Sequence, residues 1–167
     1  MCNLSIGLFG TCGNSTWRSE FIKEYEKENI NYYNPQVKDW KPECSIEEAK
    51  HLATDKIIVF PITSETYGEG SLSEVGFSIL NAIRLDNTRY FIILIDNYLN
   101  DNLKDTLARE QSLRMRQLVR SHLLEQNLDN LYFVNTLDEM LKVSKVIYKS
   151  ELIKHGVDKY KIKNGVG

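Results

Sequence analysis

The chain has 167 residues, 42% hydrophobic and 26% charged, with a formal net charge of −2. At about 100–200 residues per domain this favours one compact domain, able to bury roughly 70% of its unfolded surface without disulfide or metal support. The charge argues against a protein that coats nucleic acid. No apolar run approaches the ~20 residues that span a bilayer. The opening MCNLSIGLFGTCGN lacks the basic segment of a secretory signal.

Apolar runs and helix-period segments alternate along the chain. Residues 4–10 (LSIGLFG) read as a short buried strand, followed by a glycine-containing loop. From Thr16 to Glu28, Trp17, Phe21, Ile22 and Tyr25 recur near a period of 3.6, which predicts a helix. Residues 30–34 read as a second strand stopped by Pro35, and 35–44 as a loop carrying Asp39 and Trp40. Ser45 to Thr54 is a predicted helix opened by Ser45-x-x-Glu48, the spacing of a capping box.

Residues 56–62 (KIIVFPI) predict a third strand, with a loop over 63–70. A helix is expected from Ser71 to Leu85, with Leu72, Val75, Gly76, Ile79 and Ile83 on its buried face. Residues 89–95 (RYFIILI) read as a strand buried on both faces. A long polar helix over 102–126, a short strand over 131–134 and a helix opened by Thr136-x-x-Glu139 complete the series. Arg109, Arg114, Arg116 and Arg120 read as a solvated face of the long helix. Residues 1–154 are expected to form one domain, and the basic tail 155–167 to fray.

Strands alternating with helices predict a flavodoxin-like (Rossmann-like) α/β fold: a five-stranded parallel sheet of order 2-1-3-4-5 with helices on both faces. In such sheets ligands bind beyond the carboxyl ends of the strands, near the switch point between the first and third. That rule selects the loops 10–16 and 62–71.

Cys2, Cys12 and Cys44 form no CxxC pair, and read as reduced thiols of a cytoplasmic protein. His51, His122 and His155 form no metal-ligand pattern, so no metal and no cofactor is expected. The loop Gly10-Thr11-Cys12-Gly13-Asn14-Ser15-Thr16 has neither a Walker A nor a GxGxxG pattern. In the second loop, Glu74 lies about 160° from the middle of the following helix's apolar stripe. It carries two readings. Ser71-x-x-Glu74 has capping-box spacing. A first-turn carboxylate at the ligand end of the sheet is also held as an anion, ready to attack an electron-poor carbon such as a sugar C1′. Asp96 and Asn97 end the fourth strand on the same side, as ligand contacts or as an Asx turn.

Three segments, GLFGTCGNSTWR, YYNPQVKDWKPEC and GSLSEVG, together resemble the nucleoside 2-deoxyribosyltransferase-like family over residues 4–95. The resemblance implies a glutamate nucleophile at C1′, and the matching position is Glu74. It implies a deoxyribosyltransferase or nucleoside/nucleotide N-glycosidase, a small-molecule nucleoside or nucleotide substrate, and a homo-oligomer without nucleic-acid or membrane partners. A neighbouring subunit would close each pocket. Gly10, Thr11, Trp17 and Arg18 would line the sugar and base pocket, and Asn34, Asp39 and Trp40 would contact the base. Tyr67, Glu69, Gly70 and Ser71 would complete the site beside Glu74. The family's second carboxylate, six residues before the nucleophile, is replaced by Gly68, and Glu69 is the adjacent substitute.

Two alternatives keep the fold. Toll/interleukin-receptor (TIR) domains also place a glutamate on a flavodoxin-like sheet and cleave the nicotinamide bond of NAD, as glycohydrolases or cyclases. Otherwise the chain is a non-catalytic nucleotide-binding sensor with Glu74 as a cap, or a plain interaction module.

Overall fold

The structure, a computed structural model, describes residues 4–13, 15–39 and 41–161. Five parallel strands form one sheet: β1 (Ile6–Leu8), β2 (Tyr32–Tyr33), β3 (Ile57–Ile62), β4 (Tyr90–Ile95) and β5 (Leu131–Phe133). Their order is β2-β1-β3-β4-β5, the flavodoxin-like order expected. The register pairs Ile6 with Ile57, Ile57 with Tyr90 and Phe91 with Leu131. The helices are α1 (Trp17–Lys27), α2 (Cys44–Thr54), α3 (Glu69–Glu74), α4 (Leu80–Leu85), α5 (Thr106–Leu124) and α6 (Leu137–Val157).

The period-two alternation of a strand divides the central side chains between two cores. Ile57, Val59, Ile92 and Leu94 pack with Trp17, Phe21 and Tyr25 of α1 and Met140, Ile147 and Tyr148 of α6. Ile58, Phe60, Ile62, Phe91, Ile93 and Ile95 pack with Leu72, Val75, Ile79, Ile83 and Leu123, with Leu52 of α2 against them. Thus α1 and α6 cover one face, and α2 to α5 cover the other. Helix α2 is docked by His51, whose ring stacks on Tyr33 at 3.6 Å and whose Nδ1 lies 3.0 Å from Asp55 Oδ1.

Pro61 lies inside β3, where a missing N–H should break the ladder. Its carbonyl accepts from Thr11 N at 2.8 Å, so its nitrogen faces the β1 side too. There β1 has ended and Gly10 (φ 92°) turns the chain away. An added Cβ at Gly10 would collide with the Pro61 carbonyl. Proline and glycine are therefore matched: one lacks a donor where the other has no strand to receive it.

Two helices differ most from expectation. Helix α5 starts at Thr106, because Asp105 Oδ1 accepts from Ala108 N at 2.9 Å and caps it. The helix after β3 begins at Glu69, two residues early, after Gly68 in the left-handed region (φ 71°). It is also interrupted at Val75–Ile79 by a π turn, with Leu80 N–H bonded to Val75 O. Gly76, placed on the buried face by its spacing, is exposed.

Candidate functional site

The carboxyl edge of the sheet is held by arginines. Arg18, 2% exposed, donates to the carbonyls of Leu8 (3.0 Å), Gly10 (3.2 Å) and Thr11 (2.6 Å). Arg116, 0% exposed, donates to Ile62 O (2.9 Å), Asp96 O (3.0 Å), Thr63 O (2.9 Å), Thr66 O (2.8 Å) and Ser112 Oγ (3.2 Å). Arg120 donates to Ile95 O at 2.8 Å, and Arg109 to Asn100 O and Leu103 O, both at 2.8 Å. The expectation of a solvated arginine face is thus corrected for all but Arg114, which is exposed. Strand ends leave unpaired carbonyls, and a planar fork of five donors satisfies several at once.

Of the three capping-box spacings, only Thr136/Glu139 caps its helix, with the return bond going to the residue before the cap. Thr136 Oγ1 accepts from Glu139 N at 3.1 Å, and Glu139 Oε2 accepts from Asn135 N at 2.8 Å. Ser45 instead donates to Pro42 O at 2.6 Å, because α2 begins at Cys44. Ser71 lies inside α3, whose cap position is Gly68. Glu48 and Glu74 are therefore both released from capping. Glu74 is at the end of α3, not in its first turn, so the expected stabilisation by the helix N-terminus is corrected. Burial first, then the nearby Glu48 carboxylate, raises its pKa above the ordinary glutamate value. Immediately after it comes the π turn, a distortion frequent at functional sites.

Glu48 lines a crevice of about 400 Å³ with Cys12, Gly13, Pro35, Gln36 and Val37, beyond the end of β1. Its charge acts on Glu74, Arg18 and Tyr33, which come from other elements of the fold. Glu48 was not singled out from the sequence. The legible signal was Pro42, a residue favoured at the first turn of a helix, which moves the start ahead of Ser45. Glu69, read as the substitute second carboxylate, is exposed at the start of α3. At 100° per residue it points about 140° away from Glu74. A carboxylate at position 68 is blocked by the fold, since a Cβ there would lie 2.8 Å from Ile62 Cγ2.

The other predicted residues separate into distinct roles. Thr11 braces the end of β1 against β3, its Oγ1 donating to Pro61 O at 3.1 Å and accepting from Thr63 N at 2.9 Å, while Arg18 ties the carbonyls of Leu8, Gly10 and Thr11 together. Trp17 is 5% exposed, and its Nε1 donates to Thr11 O at 3.0 Å. Asn34 Oδ1 accepts from Gln36 N at 3.1 Å, an Asx turn opening the loop beside the crevice. Tyr67 is tied to α5, its hydroxyl accepting from Asp105 N at 3.2 Å. Asp39, Gly70 and Asn97 are exposed, and Ser71 is half-buried. Asp96 Oδ2 accepts from Ser64 N at 2.7 Å. Trp40, Cys2 and the tail beyond Lys161 lie outside the described residues. Trp17 and Asp96 line a second cleft, which shares no lining residue with the Glu48 crevice.

Among the described residues no group of three or more His, Cys, Asp or Glu side chains could hold a metal ion. No helix among them is long and apolar enough to cross a membrane.

No family model and no curated protein matches the chain. Among solved structures, the chain is similar to the crystal structure of the RPS4 and RRS1 TIR domain heterodimer. The TM-score is 0.53 at 10% identity, over 87% of this chain and 96% of that one. The likeness is one of fold, and it corrects the family drawn from the three sequence segments. The chain resembles a TIR domain in structure, so the nucleoside 2-deoxyribosyltransferase assignment is withdrawn. The enzyme class that followed from it, deoxyribosyl transfer or nucleoside/nucleotide N-glycosidase activity, is withdrawn with it. The GLFGTCGNSTWR segment has a different physical explanation: its Gly10, Thr11, Trp17 and Arg18 form the brace that ends β1.

Proposed function

We propose that the chain is a TIR-like NAD glycohydrolase, with Glu74 as the carboxylate that meets C1′ of the nicotinamide-bearing ribose. The observation that carries this reading is a half-buried Glu74, released from capping and near enough to the crevice-lining Glu48 for that carboxylate to raise its pKa, on a fold similar to that of a TIR domain. NAD suits such a site chemically. Its nicotinamide is a pyridinium cation, drawn to the Glu48 carboxylate that lines the crevice. It departs as a neutral base, so no acid need protonate it.

The step balances simply. A Glu74 oxygen bonds to C1′ while the C1′–N bond breaks, and its electron pair leaves with nicotinamide. Water then attacks C1′ and regenerates the carboxylate, giving ADP-ribose and a proton. Glu48 has two roles in this reading. It attracts the pyridinium, and it accepts hydrogen bonds from the ribose hydroxyls.

The test is chromatography of NAD incubated with the intact protein. Nicotinamide and ADP-ribose should appear, and Glu74→Gln should reduce their formation by at least about 100-fold. Only the ionised carboxylate is a nucleophile, so activity should rise with pH through Glu74's raised pKa. Glu48→Gln should move that rise to lower pH. Intact NAD after prolonged incubation, or undiminished turnover by Glu74→Gln, would overturn the proposal.

Assembly belongs to the same reading, since the similar solved structure is itself a pair of TIR domains. Here the second subunit would be another copy of this chain. Sedimentation showing only monomer at micromolar concentration would remove that element.

A further inference from the structure

Gly13 and Gln36 line the Glu48 crevice from the loops after β1 and β2, and Gln36 Nε2 donates to Gly13 O at 3.1 Å. Both residues are exposed. The backbone of Gln36 is held by its N–H, which donates to Asn34 Oδ1. Gly13 lies in the left-handed region (φ 73°), and a Cβ added there would meet nothing within 4 Å among the described residues. The space beside it is open.

This pair has hydrogen-bonding capacity to spare. A side-chain amide nitrogen carries two hydrogens, and a backbone carbonyl two lone pairs. Among the described residues Gln36 Nε2 and Gly13 O make only the bond that joins them. One donor and one acceptor are therefore left side by side. The rest of the crevice has a different chemistry. Pro35, which is buried, and Val37, 47% exposed, offer apolar surface, and Glu48 offers a negative charge.

A primary carboxamide complements such a donor and acceptor. Its oxygen accepts from Gln36 Nε2, its N–H donates to Gly13 O, and the existing bond need not break. A flat cationic ring suits the remaining walls, with its face on Pro35 and Val37 and its charge toward Glu48. We propose that Gln36 is a specificity-determining residue, which with Gly13 O selects the carboxamide of a nicotinamide ring. The assignment rests on the NAD reading above and names the group that chooses the substrate. A carboxylate in place of the carboxamide sets an acceptor against Gly13 O and an anion in the crevice of Glu48. An acetyl group keeps the oxygen and loses the N–H. The edge of adenine also pairs a donor with an acceptor, but adenine is neutral and leaves Glu48 without a countercharge.

Titration of the isotope-labelled full chain with 1-methylnicotinamide, followed by nuclear magnetic resonance, tests the assignment without requiring turnover. The Gln36 side-chain amide signals, identified by their loss in Gln36→Ala, should shift saturably. 1-Methylnicotinamide should bind about fivefold or more tightly than 1-methyl-3-acetylpyridinium, the worth of one neutral hydrogen bond, and more tightly again than 1-methylpyridinium-3-carboxylate. Gln36→Ala should bring the carboxamide and acetyl compounds within about twofold of each other. Unshifted Gln36 amide signals, equal affinities in the wild type, a preference unchanged in Gln36→Ala, or tighter binding of adenosine would each overturn the proposal. Chromatography of NAD separates this outcome from that of the function. Intact NAD together with a Gln36-dependent carboxamide preference removes the glycohydrolase and keeps the selecting residue. Glu74-dependent cleavage with no such preference does the reverse.

Discussion

Replacement of Arg116 by alanine should be among the most damaging single changes to this fold. Its guanidinium directs all five donors to five acceptors, four of them backbone carbonyls where β3 and β4 end. Hydrogen bonds to a charged group contribute about 1.5–3 kcal/mol each, but burial of the guanidinium offsets several kcal/mol of that sum. The carbonyls stay behind when the side chain is removed, and each unpaired buried acceptor costs about 1–3 kcal/mol. Taken together, Arg116→Ala should cost about 3–5 kcal/mol, the cost of the carbonyls left unpaired less the relief of the guanidinium's own burial. That is a large share of the ~5–15 kcal/mol that stabilises a typical domain. For a chain of this size it corresponds to a fall in Tm of roughly 6–20 °C. Arg116→Lys should recover only part of the loss, because an ammonium has three donors and no planar fork. Urea denaturation followed by circular dichroism measures both. A loss below about 1 kcal/mol for Arg116→Ala would refute the reasoning, since it would mean that water satisfies those carbonyls equally well.

Two further outcomes follow from the same geometry. Glu74→Gln should stabilise the fold at neutral pH. Burial and Glu48 raise the Glu74 pKa in the folded state, so the favourable contribution of its protonated form is complete below the ordinary glutamate value and lost as pH rises through the folded one. The variant's advantage in urea denaturation should therefore shrink from pH 7 toward pH 4, and an advantage independent of pH would contradict the assignment. Gly68→Ala should cost about 1–3 kcal/mol, combining a left-handed φ of 71° with a Cβ 2.8 Å from Ile62 Cγ2. A thermal melt unchanged from wild type would show that the turn can relax.

The contrast between the three capping-box spacings shows where sequence reading stops. Each has the same four-residue signature, and local chemistry alone cannot separate them. Thr136 caps because the chain reaches it in extended conformation, directly after β5. Ser45 and Ser71 do not, because a turn at Pro42 and the left-handed Gly68 start their helices earlier. The arginines mark a similar limit. Arg114 and Arg116 are two residues apart on one polar helix, yet one is exposed and the other fully buried. Only the distance to the ends of β3 and β4 distinguishes them. Resemblance of short segments proved weaker still: Trp17 and Arg18 matched a binding motif and are buried braces.

What the chain order determines by itself is the sheet. Apolar runs too short for helices, alternating with segments of helical period, admit one economical arrangement, and right-handed crossovers fix its handedness. That arrangement in turn decides which loops meet at the switch point. What only the tertiary structure decided is which side chains in those loops are free. Glu74 and Glu48 lie 26 residues apart and come from different helices, so no spacing rule joins them. Their charges interact because α2 and α3 dock on the same face of the sheet, and two helix starts shifted far enough to release both carboxylates from capping.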